Sequence, residues 1–131
     1  MALCVVMQTL GMVLIIGWLR RLPPAPVTRL WPATWILIRI AISAVFMHLL
    51  QILVWALFYL WREGMPDLPI ALYFSAVTYT TTGYGDVVLP PEWRLVGAVE
   101  ALTGILMCGL STGLFFAVVN RVLVGKSEAQ T

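Results

Sequence analysis

The chain has 131 residues, 61% of them hydrophobic and only 11% charged, where a soluble domain would carry about 25% charged residues. That composition excludes an ordinary soluble enzyme or binding module, and a net charge of +2 gives no footing for nucleic acid. One histidine and two cysteines, without a Cys-His, Ser-His-Asp or metal-ligand spacing, leave a membrane enzyme short of parts, and no cofactor is expected.

Ala2 to Trp18 carries no charged side chain. A span needs about 20 apolar residues, so residues 1–18 read as a transmembrane or partly inserted helix at the short end of the range. No basic region precedes it and Arg20 and Arg21 follow it, the reverse of a secretory signal. Residues 19–32 hold four prolines and three arginines and read as a non-helical cytoplasmic linker. Ala33 to Trp61 is a long outer span, interrupted only by Arg39 near its cytoplasmic start. A single arginine there snorkels to the headgroups, whereas a voltage sensor needs several in register. His48 and Gln51, three residues apart in this span, suggest an interhelical hydrogen bond, with a proton sensor as the alternative.

Glu63 to Asp67 reads as a turn, with Asp67 as helix N-cap and Pro69 in the first helical turn. Residues 69–80 are apolar but only about 18 Å long as a helix, too short to cross a bilayer. Gly83 and Gly85 follow directly, so the segment reads as a half-helix that enters the membrane and returns through non-helical backbone. Such backbone is tolerated at that depth only when buried in protein or lining an aqueous path. Pro90 and Pro91 end the re-entrant loop and Trp93 suits the interface.

The inner helix is expected over 94–124, with a short cytoplasmic tail at 125–131. Glu100 is its one acid before Asn120, and Gly104, Gly109 and Gly113 punctuate it. Gly104 reads equally as a hinge or as a packing glycine. Cys108, Thr112 and Phe116 recur every four residues from it, forming a face able to line a cavity with Phe116 at its narrowest point. Cys4 and Cys108, in different spans, read as small packing residues. The bias of Lys and Arg toward cytoplasmic loops puts 19–32 and the C-terminus inside, and the N-terminus and 62–94 outside.

Thr81-Thr82-Gly83-Tyr84-Gly85 is the segment suited to chemistry. To hold a cation without charged side chains, backbone carbonyls must replace its hydration shell. Alternating glycines permit the alternating backbone this needs, and the negative end of the preceding half-helix favours a cation. One strand cannot encircle an ion, so a cyclic homo-oligomer is expected.

Ala71 to Ser75 and Thr80 to Asp86 together resemble the pore helix and signature sequence of potassium channels. Trp93 to Val96 and Gly104-Ile105 resemble the start and hinge region of that family's inner helix, and the likeness runs from about Ile52 to Val124. It implies an all-α membrane protein in which transmembrane helices flank a re-entrant pore helix and filter loop. It further implies a homotetramer of the plasma membrane, passing K+ passively, with the filter mouth outside. Thr81, Thr82, Gly83 and Tyr84 would supply the carbonyl rings that bind K+, Thr81 adding its hydroxyl. Gly85 would complete the turn and Asp86 stand at the outer mouth. Tyr73 and Phe74 match the aromatic pair that braces the filter, the Tyr73 hydroxyl within reach of Asp86. Glu100 would meet pore-helix hydroxyls. The chain departs from the pattern at Thr82, where valine or isoleucine is usual, and at Val77, where some members pair a glutamate with the aspartate.

Overall fold

The computed structural model describes residues 1–21 and 30–128. Among these residues every regular element is helical: α1 (Ala2–Arg21), α2 (Leu30–Trp61), α3 (Leu68–Tyr79), a 3-10 turn (Pro91–Trp93) and α4 (Arg94–Glu128). Ala2–Arg21, Thr34–Trp61 and Pro91–Asn120 are each long and apolar enough to cross a membrane. With 12 residues, α3 is not.

The expected linker over 19–32 is too wide. Leu19 to Arg21 complete α1, where Arg20 and Arg21 occupy the last turn and meet the negative end of the helix dipole. Leu30 to Pro32 open α2, and Pro32 is tolerated because first-turn N–H groups have no intrahelical acceptor. The remainder of the linker, 22–29, lies outside the described residues, as does the end of the expected tail, 129–131. α4 continues past residue 124 to Glu128. At 20 residues α1 is about 30 Å long, enough to cross a bilayer.

α3 is wedged between α2 and α4, and α1 lies against the same two helices. Local chemistry sets both ends of α3's entry. α2 stops where Glu63 turns left-handed (φ +55°) and the Gly64 N–H reaches back 2.8 Å to the Tyr59 carbonyl. Asp67 then caps α3, its carboxylate accepting from the Ile70 N–H at 2.9 Å, with Pro69 in the first turn. The Arg62 guanidinium lies over both Trp61 (5.6 Å) and Trp93 (5.3 Å), joining the end of α2 to the start of α4.

The core collects around Tyr59, which is fully buried against Trp55, Phe58 and Phe74 at ring distances of 5.4–6.1 Å. Between helices in hydrocarbon, such contact stabilises through close packing rather than through removal from water. α1 docks by the same logic. Cys4 is buried beneath it, and a Cβ on Gly11 would lie 3.0 Å from the Met47 Cε. Arg39, expected to snorkel, sits over the Trp18 ring of α1 at 5.8 Å.

Candidate functional site

The end of α3 is tied off by the segment that follows it. The Thr80 N–H and hydroxyl both donate to the Ala76 carbonyl, the Thr81 N–H to Thr78, and the Gly83 N–H to Val77 at 3.0 Å. These bonds satisfy carbonyls that a helix C-terminus otherwise leaves open. They also aim residues 81–85 away from the helix. The backbone is left-handed at alternate positions, with φ +58° at Thr81, +52° at Gly83 and +79° at Gly85. The alternation therefore begins one step before the glycines, at a threonine that tolerates this conformation poorly.

Among the described residues, no hydrogen bond ends on the carbonyl oxygens of 81–85. Thr81 through Asp86 are all exposed on the single chain, Tyr84 at 72%. Backbone carbonyls left free at the tip of a half-helix are groups able to accept from a donor or to ligate a cation. Thr82, the residue that departs from the resembled pattern, has its hydroxyl 3.0 Å from that of Thr80.

Tyr73 and Asp86 meet as the resemblance implied, the phenol donating to the carboxylate at 2.7 Å. That bond is the leading cause of the Asp86 carboxyl sitting below its ordinary value of 3.8 and of the Tyr73 phenol sitting above 10.0. The lowered carboxyl fixes the sign. The charge-assisted brace is complete above pH 3.8 and is lost as pH falls through the lowered Asp86 value. Tyr73→Phe is expected to return the Asp86 carboxyl toward its ordinary value, so that Asp86 protonates at a higher pH than in wild type. An NMR titration of Asp86 indistinguishable from wild type would dismiss the brace.

Phe74 requires a correction. It turns into the core rather than toward the 81–85 segment, packing edge-on against Tyr59 at 5.4 Å, with its Cζ 3.7 Å from where a Cβ on Gly97 would stand. Consecutive helix positions point about 100° apart, so with Tyr73 committed to Asp86 its neighbour must face elsewhere.

Glu100 is fully buried and accepts from two hydroxyls: Tyr59 of α2 at 2.7 Å and Ser75 of α3, which also lies 3.1 Å from the Ile52 carbonyl. The acid thus joins α2, α3 and α4. Ser75 is the pore-helix hydroxyl anticipated, whereas Tyr59 went unforeseen. The signal available for it was a polar tip on a residue inside an apolar span, which requires a partner.

At Gly104, α4 runs on without a break, and a Cβ there would lie 1.9 Å from the Tyr79 carbonyl oxygen. Close approach to α3 is what the geometry at this position requires. Further along α4, Cys108, Thr112 and Phe116 are exposed on the single chain. Gly109 and Gly113 have open space where a Cβ would stand.

Comparison with known proteins gives the frame for this geometry. A family model described as ion channel matches residues 35–121, a stretch holding α3, segment 80–86 and most of both flanking spans. A curated relative, the voltage-gated potassium channel of Aeropyrum pernix, is 41% identical over 59 residues, which is 44% of this chain. The matched stretch is 20% of that relative's length. No solved structure matches the chain significantly. With a half-helix, a free-carbonyl segment and two flanking spans all inside the matched region, the chain belongs to the ion channel family, and it is a helical membrane protein rather than an enzyme.

Proposed function

We propose that the chain is the pore-forming subunit of a potassium-selective channel that conducts passively as a homotetramer in the plasma membrane. K+ is held by carbonyls of Thr81, Thr82, Gly83 and Tyr84, with the Thr81 hydroxyl at the inner end. Gly85 completes the turn and Asp86, braced by Tyr73, marks the outer mouth. The observation that carries this reading is the alternating left-handed backbone at 81, 83 and 85 together with carbonyls that accept no hydrogen bond from the described residues. Each subunit contributes one strand, and cyclic symmetry brings the strands to one axis. The potassium channel named among the relatives supports the choice of ion. The exposed face with Cys108, Thr112 and Phe116 then lines the cavity below the filter. The 19–32 region and the C-terminus lie in the cytoplasm and the filter mouth lies outside.

Purified protein in liposomes is expected to pass K+ much faster than Na+ and to be blocked by barium, and native mass spectrometry is expected to find four chains. Equal fluxes of the two ions would reassign the chain to a non-selective cation channel. A monomer or dimer as the sole species would sink the shared-axis pore.

A further inference from the structure

The family match begins at residue 35, so nothing in it accounts for α1. Yet α1 inserts one buried polar side chain, Gln8, 4% exposed, into the body of the subunit. Gln8 Nε2 donates to the Ser111 hydroxyl of α4 at 2.7 Å, and its Oε1 accepts from Gln51 Nε2 of α2 at 2.8 Å. Gln51 Oε1 accepts from the Tyr79 phenol, the last residue of α3, at 2.6 Å. Tyr79 has given its one proton to Gln51, so its oxygen accepts from His48 Nδ1 at 3.0 Å. His48 Nε2 is then an acceptor, and Ser111 donates to it at 3.0 Å.

The five side chains therefore close a ring that draws on all four helices, each member donating once and accepting once. Rings of this sense are cooperative, because each bond polarises the next. In hydrocarbon, opening one link leaves its two neighbours without water to replace it.

We infer that Gln8 is a positioning residue of the pore, closing a ring that fixes Tyr79 beneath the 80–85 segment and ties it to Ser111 of the inner helix. Tyr79 is held from two sides. Its phenol sits in the ring while its carbonyl is pressed against Gly104, and Thr80 and Thr81 follow it directly in the chain. Ser111 lies between Cys108 and Thr112 of the face assigned to the cavity. A displacement of α4 must therefore open the ring or carry α1 with it. α1 is thus a working part of each subunit, although it stands outside the family match.

The functional readout rests on the channel reading, and a second readout does not. Single-channel recordings would compare wild type, Gln8→Met, Tyr79→Phe and the double variant. Gln8 and Tyr79 do not touch, yet opening a ring at one point releases it at the other. Each single variant is expected to lower the ratio of conducting to non-conducting time about fivefold, and the double variant about as much as either alone. Independent sites would instead multiply to about 25-fold, and that result, or a wild-type ratio in Gln8→Met, overturns the inference. Thr9→Ala should conduct as wild type, since Thr9 is exposed and its hydroxyl bonds only the Val5 carbonyl of its own helix. His48 is the sole histidine, so nitrogen NMR of the imidazole reports the ring directly. Gln8→Met should shift both His48 ring nitrogens although Gln8 reaches them only through Ser111 and through Gln51 and Tyr79, and unchanged shifts overturn the ring whether or not the protein conducts. Should Gln8→Met fail to assemble, Gln8→Asn enters both assays, being polar but one methylene too short to reach Ser111 and Gln51 together. A wild type that passes no K+ overturns the channel reading, and the NMR comparison then decides the ring by itself.

Discussion

Gly104→Ala is expected to abolish conduction and to deplete the assembled protein. The added methyl would stand 1.9 Å from the Tyr79 carbonyl oxygen, 2.8 Å from its carbonyl carbon and 3.2 Å from its Cα. All three atoms are backbone, so no side-chain rotation relieves the overlap. Helix α4 would have to withdraw from α3, but it is held there one turn earlier by Glu100, through Tyr59 and Ser75, and on either side by buried Thr103 and Met107. Overpacking in a closely fitted interior costs about 1–3 kcal/mol, and the proposed tetramer carries four copies of the clash. Alanine's better helix propensity returns only about 1 kcal/mol per chain. The measurement is the yield of assembled protein followed by K+ flux. A glycine kept for bending would give another result: normal assembly with altered gating. Normal assembly and flux in Gly104→Ala would mean that α3 and α4 do not approach as closely as described.

Gly104 also marks the limit of what the sequence discloses. A glycine in an apolar helix is compatible with bending and with close contact, and the close contact becomes visible only from the position of Tyr79 across the interface. The spans themselves were legible because hydrocarbon imposes a length and excludes charge, and arginines bound the apolar runs. α3 was legible for a related reason: Asp67 and Pro69 mark its start, and the run is too short to cross. Its contact with Asp86 came from the resemblance rather than from periodicity. Proline reads as a breaker and so widens the expected linker, while Pro32 sits in a first turn that needs no N–H there.

The buried polar ring was half visible. His48 and Gln51 stood out as polar residues in an apolar span and were read as interhelical hydrogen-bonding partners, and both lie in the ring. Gln8, Tyr79 and Ser111 were not singled out, because the partners lie 28 to 103 positions apart in the chain and no local pattern links them. The available signal was the cost of an unpaired amide in hydrocarbon: a lone glutamine in a span implies a partner even when the sequence does not say which. Phe74 failed for the opposite reason, since two adjacent aromatic residues on one helix cannot both face the same segment.

Gly83→Ala and Gly85→Ala are each expected to abolish selective K+ flux while leaving membrane insertion intact. Neither glycine has an atom within 4 Å of where a Cβ would stand in the chain, so crowding within the subunit is not the cause. The cost is conformational. An L-residue held in the left-handed region loses roughly 1–2 kcal/mol, and in the proposed tetramer four copies act on one ring of carbonyls, for a total of about 4–8 kcal/mol. The alternation also leaves little slack, since Thr81 already occupies that region at φ +58°. In the proposed tetramer, relief by rotating the peptide would swing a carbonyl off the axis and remove a ligand from the ion's shell. The two sites should differ in a defined order. The φ of +52° at Gly83 falls inside the range that non-glycine residues occasionally adopt, whereas +79° at Gly85 lies beyond it. Gly85→Ala should therefore be the more damaging, and Gly83→Asn should retain more flux than Gly83→Ala, because asparagine tolerates left-handed backbone better. Potassium and sodium fluxes in liposomes, normalised to inserted protein, test the ranking. Wild-type selectivity in both alanine variants would show that these glycines do not shape the conducting backbone.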